Sequence, residues 1–365
     1  MIKGFYDHTS TCVWNGEEIS DSFDTKYGIK KGCNISPMLF SFFIDDIKEG
    51  LLGGIEFAGI NIQVLLYADD IVLFSKTPSS LQLMINRLAV FCDNWGMTVN
   101  LDKSKIMIFR KGNGRYAGNE RWFYRRMQIE VVREYKYLGV IITPTLNFEK
   151  HLKAKAGEAK AAMAITWKNC MENKKLTSEV KHKVFQTTSA MTLLYAAPCF
   201  GFFESDIIES VQRFYLKRSL KLPLTTPNYM LALETGLPDL SLTALKLHFD
   251  FIIKLLTNER NKLSKRIALE VVQKRSYWFA EWRRKAQEVD MDLQLNIDNI
   301  DTWSEQLNYL LNKLHLRNLG NYSNKAKESQ SRYCYPNLNL ALGSNSYFRG
   351  SSQSRSYIMH FQAQG

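Results

Sequence analysis

The stretch QVLLYADDIVLFSK, residues 63–76, sets two aspartates side by side between runs of large apolar residues. Adjacent carboxylates present hard oxygen donors, the kind that a magnesium ion takes. They also make good turns, because Asp tolerates tight backbone and bonds its own amides. Ala68-Asp69-Asp70 can therefore equally be a plain link between two strands. Residues 64–66 and 71–74 are apolar without alternation, the pattern of central strands covered on both faces. Such strands would hold Asp69 and Asp70 rigidly at the tip of a buried hairpin.

The neighbouring sequence supplies the elements that would position the pair. Residues 1–27 contain short strand-like pieces, with a hairpin turn at Asn15-Gly16. In GIKKGCNISPMLFSFFIDDIKEG (28–50), Ser36 followed by Pro37 predicts a helix start. The hydroxyl caps, and the missing proline N–H costs nothing at the first helical position. This helix should run through Met38, Leu39, Phe42, Phe43 and Ile47 and stop at Gly50. A hairpin-like segment, IEFAGINIQVLLY, leads into the aspartates. Beyond them Thr77-Pro78 repeats the start signal, and Leu81, Met84, Ile85, Leu88, Cys92 and Trp95 recur at helical spacing until Gly96. Short strands are expected near 98–100 and 105–109, an exposed loop over 110–120, and strands again in MQIEVV and YKYLGVIIT. From Asn147 the pattern turns helical, with helices expected near 148–172, 177–199, 204–221, 239–257 and 262–288, punctuated by Pro144, Pro223, Pro227 and Pro238.

Composition bounds the partners. Of 365 residues, 45% are hydrophobic, which supports a sizeable core and excludes global disorder. Lys and Arg exceed acids by 48 to 36, and the resulting net charge of +12 suits a polyanion such as nucleic acid. Six scattered cysteines (Cys12, Cys33, Cys92, Cys170, Cys199, Cys334) form no CxxC pair and read as reduced, buried thiols of an intracellular protein. Nucleus and cytoplasm are not distinguished. No apolar run approaches the roughly 18 residues of a membrane helix, and no signal peptide opens the chain.

Three segments stand in order: a glycine-bracketed loop opening a helix at 28–37, the hairpin carrying Asp69 and Asp70, and a basic strand pair, NLDKSKIMIF, at 100–109. With them the sequence resembles the reverse transcriptase of non-LTR (LINE-type) retrotransposons over roughly residues 1–260. GIKKGCNISPMLF resembles that family's template- and nucleotide-positioning loop, and YADDIVLFS its catalytic hairpin. NWGMTVNLDKSKIMIF resembles the helix–strand segment that follows, YKYLGVIIT the strand near the primer grip, and the helical remainder the thumb. The resemblance implies an α+β fold: a partial polymerase palm over 1–143, an antiparallel sheet with packed helices, followed by an all-α thumb-like region and extension over 144–320. Residues 321–365, rich in Ser, Asn, Gly and Tyr and without an acid after Glu328, read as a poorly ordered basic tail.

The implied activity is RNA-directed DNA synthesis. In it two Mg²⁺ ions about 3.5–4 Å apart activate the primer hydroxyl and neutralise the triphosphate. Asp69 and Asp70 would then be the catalytic, metal-holding residues. Gly32, Ser36, Pro37 and Tyr67 would lie against the template and the incoming nucleotide. Lys103 would approach the triphosphate, although Lys103 and Lys105 can also be a solvated strand edge. Tyr137, Leu138 and Gly139 match the primer grip, while Leu138 is equally suited to a core. Lys153, Lys155 and Lys160 would track a duplex backbone; a lysine-rich helix face is otherwise simply solvated. The implied partners are an RNA template and a DNA primer or RNA–DNA hybrid, with dNTP if the chain is active, and no membrane. The oligomeric state is left open.

The family's palm also carries an aspartate on a separate strand well upstream of the glycine loop, bridging both metals. Asp24 imitates it in DSFDTKYG, but it lies only eight residues before Gly32, too close for the intervening elements. The fingers, the first palm strand and its aspartate are thus expected to be missing and the two-metal site incomplete. Two functions follow: a fragment of a retroelement polymerase, inactive as this chain, or a non-catalytic relic that binds nucleic acid through a basic thumb.

Overall fold

The computed structural model describes residues 10–24, 28, 32–110, 120–260 and 262–328. Their contacts divide the chain into two compact units, Met1–Ile106 with Arg115–Val131, and Met107–Gly114 with Val132–Gly365.

The first unit mixes short strands with two helices. Strands β1 (Ser10–Thr11) and β2 (Phe23–Asp24) pair antiparallel around a turn in which Asn15 Oδ1 accepts the Glu17 and Glu18 amides. Helix α1 (Ser36–Ile44) starts where Pro37 fixes the backbone, but Ser36 does not cap it. Ile35 occupies the cap position, Ser36 is buried as the first helical residue, and the helix yields to a 3₁₀ turn, Asp45–Lys48, before Gly50. Helix α2 (Pro78–Asn94) does take its expected cap, the Thr77 hydroxyl accepting the Ser80 amide at 3.2 Å. Of its apolar positions Met84, Ile85 and Cys92 are buried, whereas Trp95 lies exposed beyond the helix end. Strands β3 (Ile55–Phe57) and β4 (Ile60–Ile62) form one hairpin, and β5 (Val64–Tyr67) and β6 (Asp70–Leu73) another. A third sheet has the order β7 (Lys105–Ile106), β9 (Met127–Val131), β8 (Trp122–Tyr124), with β7 parallel to β9 and β8 antiparallel. Helix α2 covers its β8 edge. Gln82 both donates to the Phe123 carbonyl (2.7 Å) and accepts its amide (2.8 Å), while the Trp122 indole N–H donates to the Pro78 carbonyl at 2.9 Å. The strand expected at 98–100 does not form; Asn100–Ser104 is a turn closed by hydrogen bonds to Asn100. Most of the loop expected over 110–120 lies outside the described residues.

The second unit opens with a hairpin, β10 (Tyr135–Tyr137) and β11 (Val140–Ile142), and continues in helices. These are α3 (Glu149–Thr166, continued by a π-turn at Trp167–Met171), α4 (Ser178–Phe185), α5 (Asp206–Ser219), α6 (Asn228–Thr235), α7 (Leu240–Thr257), α8 (Leu263–Gln273), α9 (Tyr277–Gln287) and α10 (Trp303–Glu328), with short turns between. Two apolar cores hold them. One packs α3, α4 and α5 through Ala159, Met163, Phe185, Val211 and Tyr215. The other packs α7, α8, α9 and α10 through Phe249, Val272, Trp282, Trp303 and Leu310. The single helix expected over 262–288 is two, because Arg275 turns into the left-handed region and starts α9 in a new direction. Residues 321–328, expected to head a poorly ordered tail, are the last turns of α10. Tyr322 and Ala326 pack there on Met230 and Leu233, burial that a composition reading cannot register. Residues 329–365 lie outside the described residues. No disulfide joins the five described cysteines, but among them only Cys92 is buried; Cys12 and Cys199 are exposed. Among the described residues no helix is long and apolar enough to cross a membrane.

Candidate functional site

Strands β5 and β6 pair in the register Val64↔Leu73, Leu65↔Val72, Leu66↔Ile71, Tyr67↔Asp70, so Ala68 and Asp69 alone make the turn. The ladder gains a rung where the Phe74 amide donates to the Gln63 carbonyl, and Gln63 is tied through its side chain to the Leu51 carbonyl. Ala68 is held at φ +49, a left-handed conformation that costs a residue bearing a Cβ about 1–2 kcal/mol. Asp69 and Asp70 are both exposed, as is Tyr67 at 62%. The expected burial on both faces is therefore not found. Among the described residues β5 and β6 pair as strands only with each other, and β5 alternates half-buried and exposed positions, as a two-stranded ribbon packed on one face does.

The two aspartates match a divalent cation in donor type, both being hard oxygen ligands. They do not match a pair of cations in number: among the described residues no group of three or more His, Cys, Asp or Glu side chains is placed to hold a metal. A cavity of about 450 Å³ in this unit is lined by Gly53, Gly54, Glu56, Asn61, Lys76, Thr77 and Ser80, without either aspartate.

The hairpin thus brings Tyr67, Asp69 and Asp70 together. Gly32, Ser36 and Pro37 belong to the approach to α1, where Gly32 takes φ +83 and a Cβ would meet only open space. Lys103 is exposed on the turn before β7 instead of on a strand edge, its amide donating to Asn100 Oδ1. Lys105 is the strand residue, and it pairs across the sheet with Glu130 at 2.7 Å.

In the second unit Tyr137, Leu138 and Gly139 are not mid-strand. Leu138 (φ +46) and Gly139 (φ +79) are the tip of the β10–β11 hairpin, and Leu138 is exposed, not core. Tyr195 fixes that tip. Its hydroxyl donates to the Leu138 carbonyl at 2.8 Å, and a Cβ on Gly139 would lie 2.9 Å from its ring. His151 on α3 joins both segments, accepting the Ile141 amide through Nδ1 (3.4 Å) and donating through Nε2 to the Tyr195 carbonyl (3.1 Å). Burial lowers its pKa, consistent with that neutral tautomer. Tyr195 lies 57 residues from Leu138, and no local pattern marks it.

The three lysines expected to track a duplex differ in surroundings. Lys153 pairs with Glu149 and Lys155 with Glu158, and each ammonium holds its partner carboxyl below the ordinary range. Lys155 is also only 12% exposed, with its ammonium 4.7 Å from the centre of the Tyr195 ring. Lys160 is exposed and lies over the ring of Phe214.

Residues 1–142 match the family described as Reverse transcriptase (RNA-dependent DNA polymerase). The chain is 24% identical over 217 residues to the RNA-directed DNA polymerase from mobile element jockey of Drosophila funebris, covering 55% of this chain. It is 24% identical over 246 residues, 62% of this chain, to the Retrovirus-related Pol polyprotein from type-2 retrotransposable element R2DM of Drosophila melanogaster. In both cases the aligned region spans 22% of the relative's own length. The matched segment takes in the YADD hairpin, and the relatives to which the chain is similar come from mobile elements.

Proposed function

We propose that this chain is part of a retroelement RNA-directed DNA polymerase, with residues 1–143 as a partial palm and the following helices as a thumb and its extension. On this reading Asp69 and Asp70 are the carboxylates that bind magnesium, Gly32, Ser36, Pro37 and Tyr67 face template and incoming nucleotide, and Lys103 faces the triphosphate. Residues Tyr137, Leu138 and Gly139 hold the primer, and an RNA template with a DNA primer or hybrid duplex is the partner. The observation that carries the reading is the placement of two adjacent aspartates on an exposed hairpin turn within the segment that matches the family. Bound magnesium would act there as a Lewis acid on phosphoryl oxygens. The protein's share is to hold Asp69 and Asp70 in the strained turn at Ala68, aimed outward where a phosphate can approach.

The chain alone does not extend a primer on this proposal, because among the described residues the two aspartates have no third acidic neighbour to complete a metal pair. A primer-extension assay with Mg²⁺, dNTPs and an RNA template tests it. Incorporation that disappears in Asp69→Ala would overturn the inactivity and leave the polymerase assignment standing.

A second reading, non-catalytic nucleic-acid binding, is favoured by the exposed lysines of α3. It expects sequence-tolerant duplex binding that weakens steeply between roughly 50 and 200 mM salt. Affinity that does not respond to salt would exclude it.

A further inference from the structure

The long cations of α3 and α5 fall into two groups. On α3, Lys150 pairs with Glu134, Lys153 with Glu149 and Lys155 with Glu158. On α5, Arg213 pairs with Asp206, and Lys217 donates to the Leu224 carbonyl at 2.8 Å, with burial lowering its pKa. On each helix one exposed cation, Lys160 on α3 and Arg218 on α5, has no acidic partner among the described residues. Both also lie on aromatic rings across the same seam. The Lys160 ammonium reaches from α3 to within 5.5 Å of the centre of the Phe214 ring on α5. The Arg218 guanidinium reaches back from α5 to 4.1 Å from the ring of Trp167, where α3 ends. The helices are locked beneath by Ala159, Met163, Val211 and Tyr215, so the rings do not shift independently.

We infer that Lys160 and Arg218 form a two-cation clamp for the phosphate backbone of a nucleic-acid duplex, and that Lys153 and Lys155 do not contribute to it. The inference rests on the nucleic-acid-binding part of the function proposed above. A cation already bound to a carboxylate must lose that partner before it meets a phosphate. A cation on a ring keeps its charge available, and its side chain is already ordered. At a rise of 1.5 Å per residue, the spacings 160–167 and 214–218 put the two positions roughly 6–10 Å apart along the seam. Two phosphates are therefore met, not one. Arg218 stands outside the lysine-rich stretches that draw attention in the sequence, and the ring it lies over, Trp167, is 51 residues away.

The test is fluorescence anisotropy of a labelled RNA–DNA hybrid titrated with the full chain at several salt concentrations. The double variant Lys160→Gln with Arg218→Gln should lower the slope of log affinity against log salt by about 2, one for each phosphate that is no longer neutralised. Lys160→Arg with Arg218→Lys should retain the slope. Lys153→Gln with Lys155→Gln should leave it nearly unchanged. Thermal melting checks that all variants fold alike, and Phe214→Leu, which keeps both charges, should weaken binding severalfold at an unchanged slope. A wild-type chain with no salt-sensitive binding overturns both this clamp and the binding reading beneath it. A double variant with the full wild-type slope, or an equal loss from the Lys153/Lys155 variant, overturns the clamp alone. Binding to anionic phospholipid vesicles that needs the two cations, when hybrid binding does not, would assign the seam to a membrane surface and equally overturn the clamp.

Discussion

The two units bury their side chains in different ways. The helical unit closes two cores around fully covered aromatics, with Trp282 and Trp303 at 0% exposure and their rings edge-on. The first unit has strands of two to five residues in sheets of two or three, and it leaves Phe42 at 69% exposure and Trp14 at 70%. Helices satisfy their own backbone, so a layer of them needs only an apolar stripe to pack. Short strand pairs leave backbone and side-chain faces open. The unit carrying Asp69 and Asp70 is thus held mainly by hairpin geometry and by polar ties such as Gln82 to Phe123, whereas the helical unit is held by volume.

The largest test of that contrast is a pair of truncations. Trp282→Ala should destabilise the helical unit by about 3–5 kcal/mol, since its ring meets His248, Phe249, Trp278 and Trp303. Phe42→Ala should change stability by no more than about 0.5 kcal/mol. Urea unfolding of both variants reads the difference; a Phe42 effect as large as that of Trp282 would mean that the first unit's open face is covered in solution.

Next is a titration inside the helical unit. Glu209 accepts the Leu240 and Ser241 amides at the start of α7, and burial, then the neighbouring Asp239, push its carboxyl up to about 7. Burial also raises Asp239, against the opposing pull of the hydrogen bonds it accepts from Asn318 and Tyr322 of α10 and, less strongly, of His315 and Arg213. A folded pKa above the unfolded 4.5 means that the native state holds the proton more tightly. The associated stability is present in full below pH 4.5 and is lost as pH rises through 7, by up to about 3 kcal/mol. Glu209→Gln should flatten this decline between the two values. Urea midpoints measured at both ends check it, and an equal slope in the variant would refute the assignment.

Smaller effects belong to the two hairpin tips. Gly139→Ala should cost about 1–2 kcal/mol, because φ is +79 and the added methyl meets the Tyr195 ring. Ala68→Gly should stabilise the other tip by less than about 1 kcal/mol, as relief of left-handed strain is partly offset by the greater freedom of glycine when unfolded. Thermal melts rank the two. If Ala68→Gly destabilises instead, the turn at Asp69 is held by contacts other than its ladder.

Local signals read well from the residues alone. The Thr77-Pro78 start of α2, the Asn15 turn and the hairpin break at Asp69-Asp70 each depend on groups within a few residues. Signals that require knowing what lies opposite did not. Ser36 looks like a cap beside Pro37 but is drawn inside the helix and buried. Leu138 fits a core by type, yet it stands on a tip whose shape is fixed by Tyr195, 57 residues away. Residues 321–328 read as tail by composition, yet they are helical because Tyr322 and Ala326 find Met230 and Leu233.

The sequence by itself determined the resemblance to reverse transcriptases, the hairpin break at Asp69-Asp70, and the change from strands to helices near residue 147. These follow from residue type and short spacing, which act through the local backbone. Only the tertiary structure decided that the YADD ribbon lies open and that Tyr195 and His151 fix the second tip. It also decided that Lys160 lies over Phe214 and Arg218 over Trp167, each on a ring that another helical segment supplies. Exposure and charge pairing depend on which distant segment packs alongside, and residue type carries no record of that.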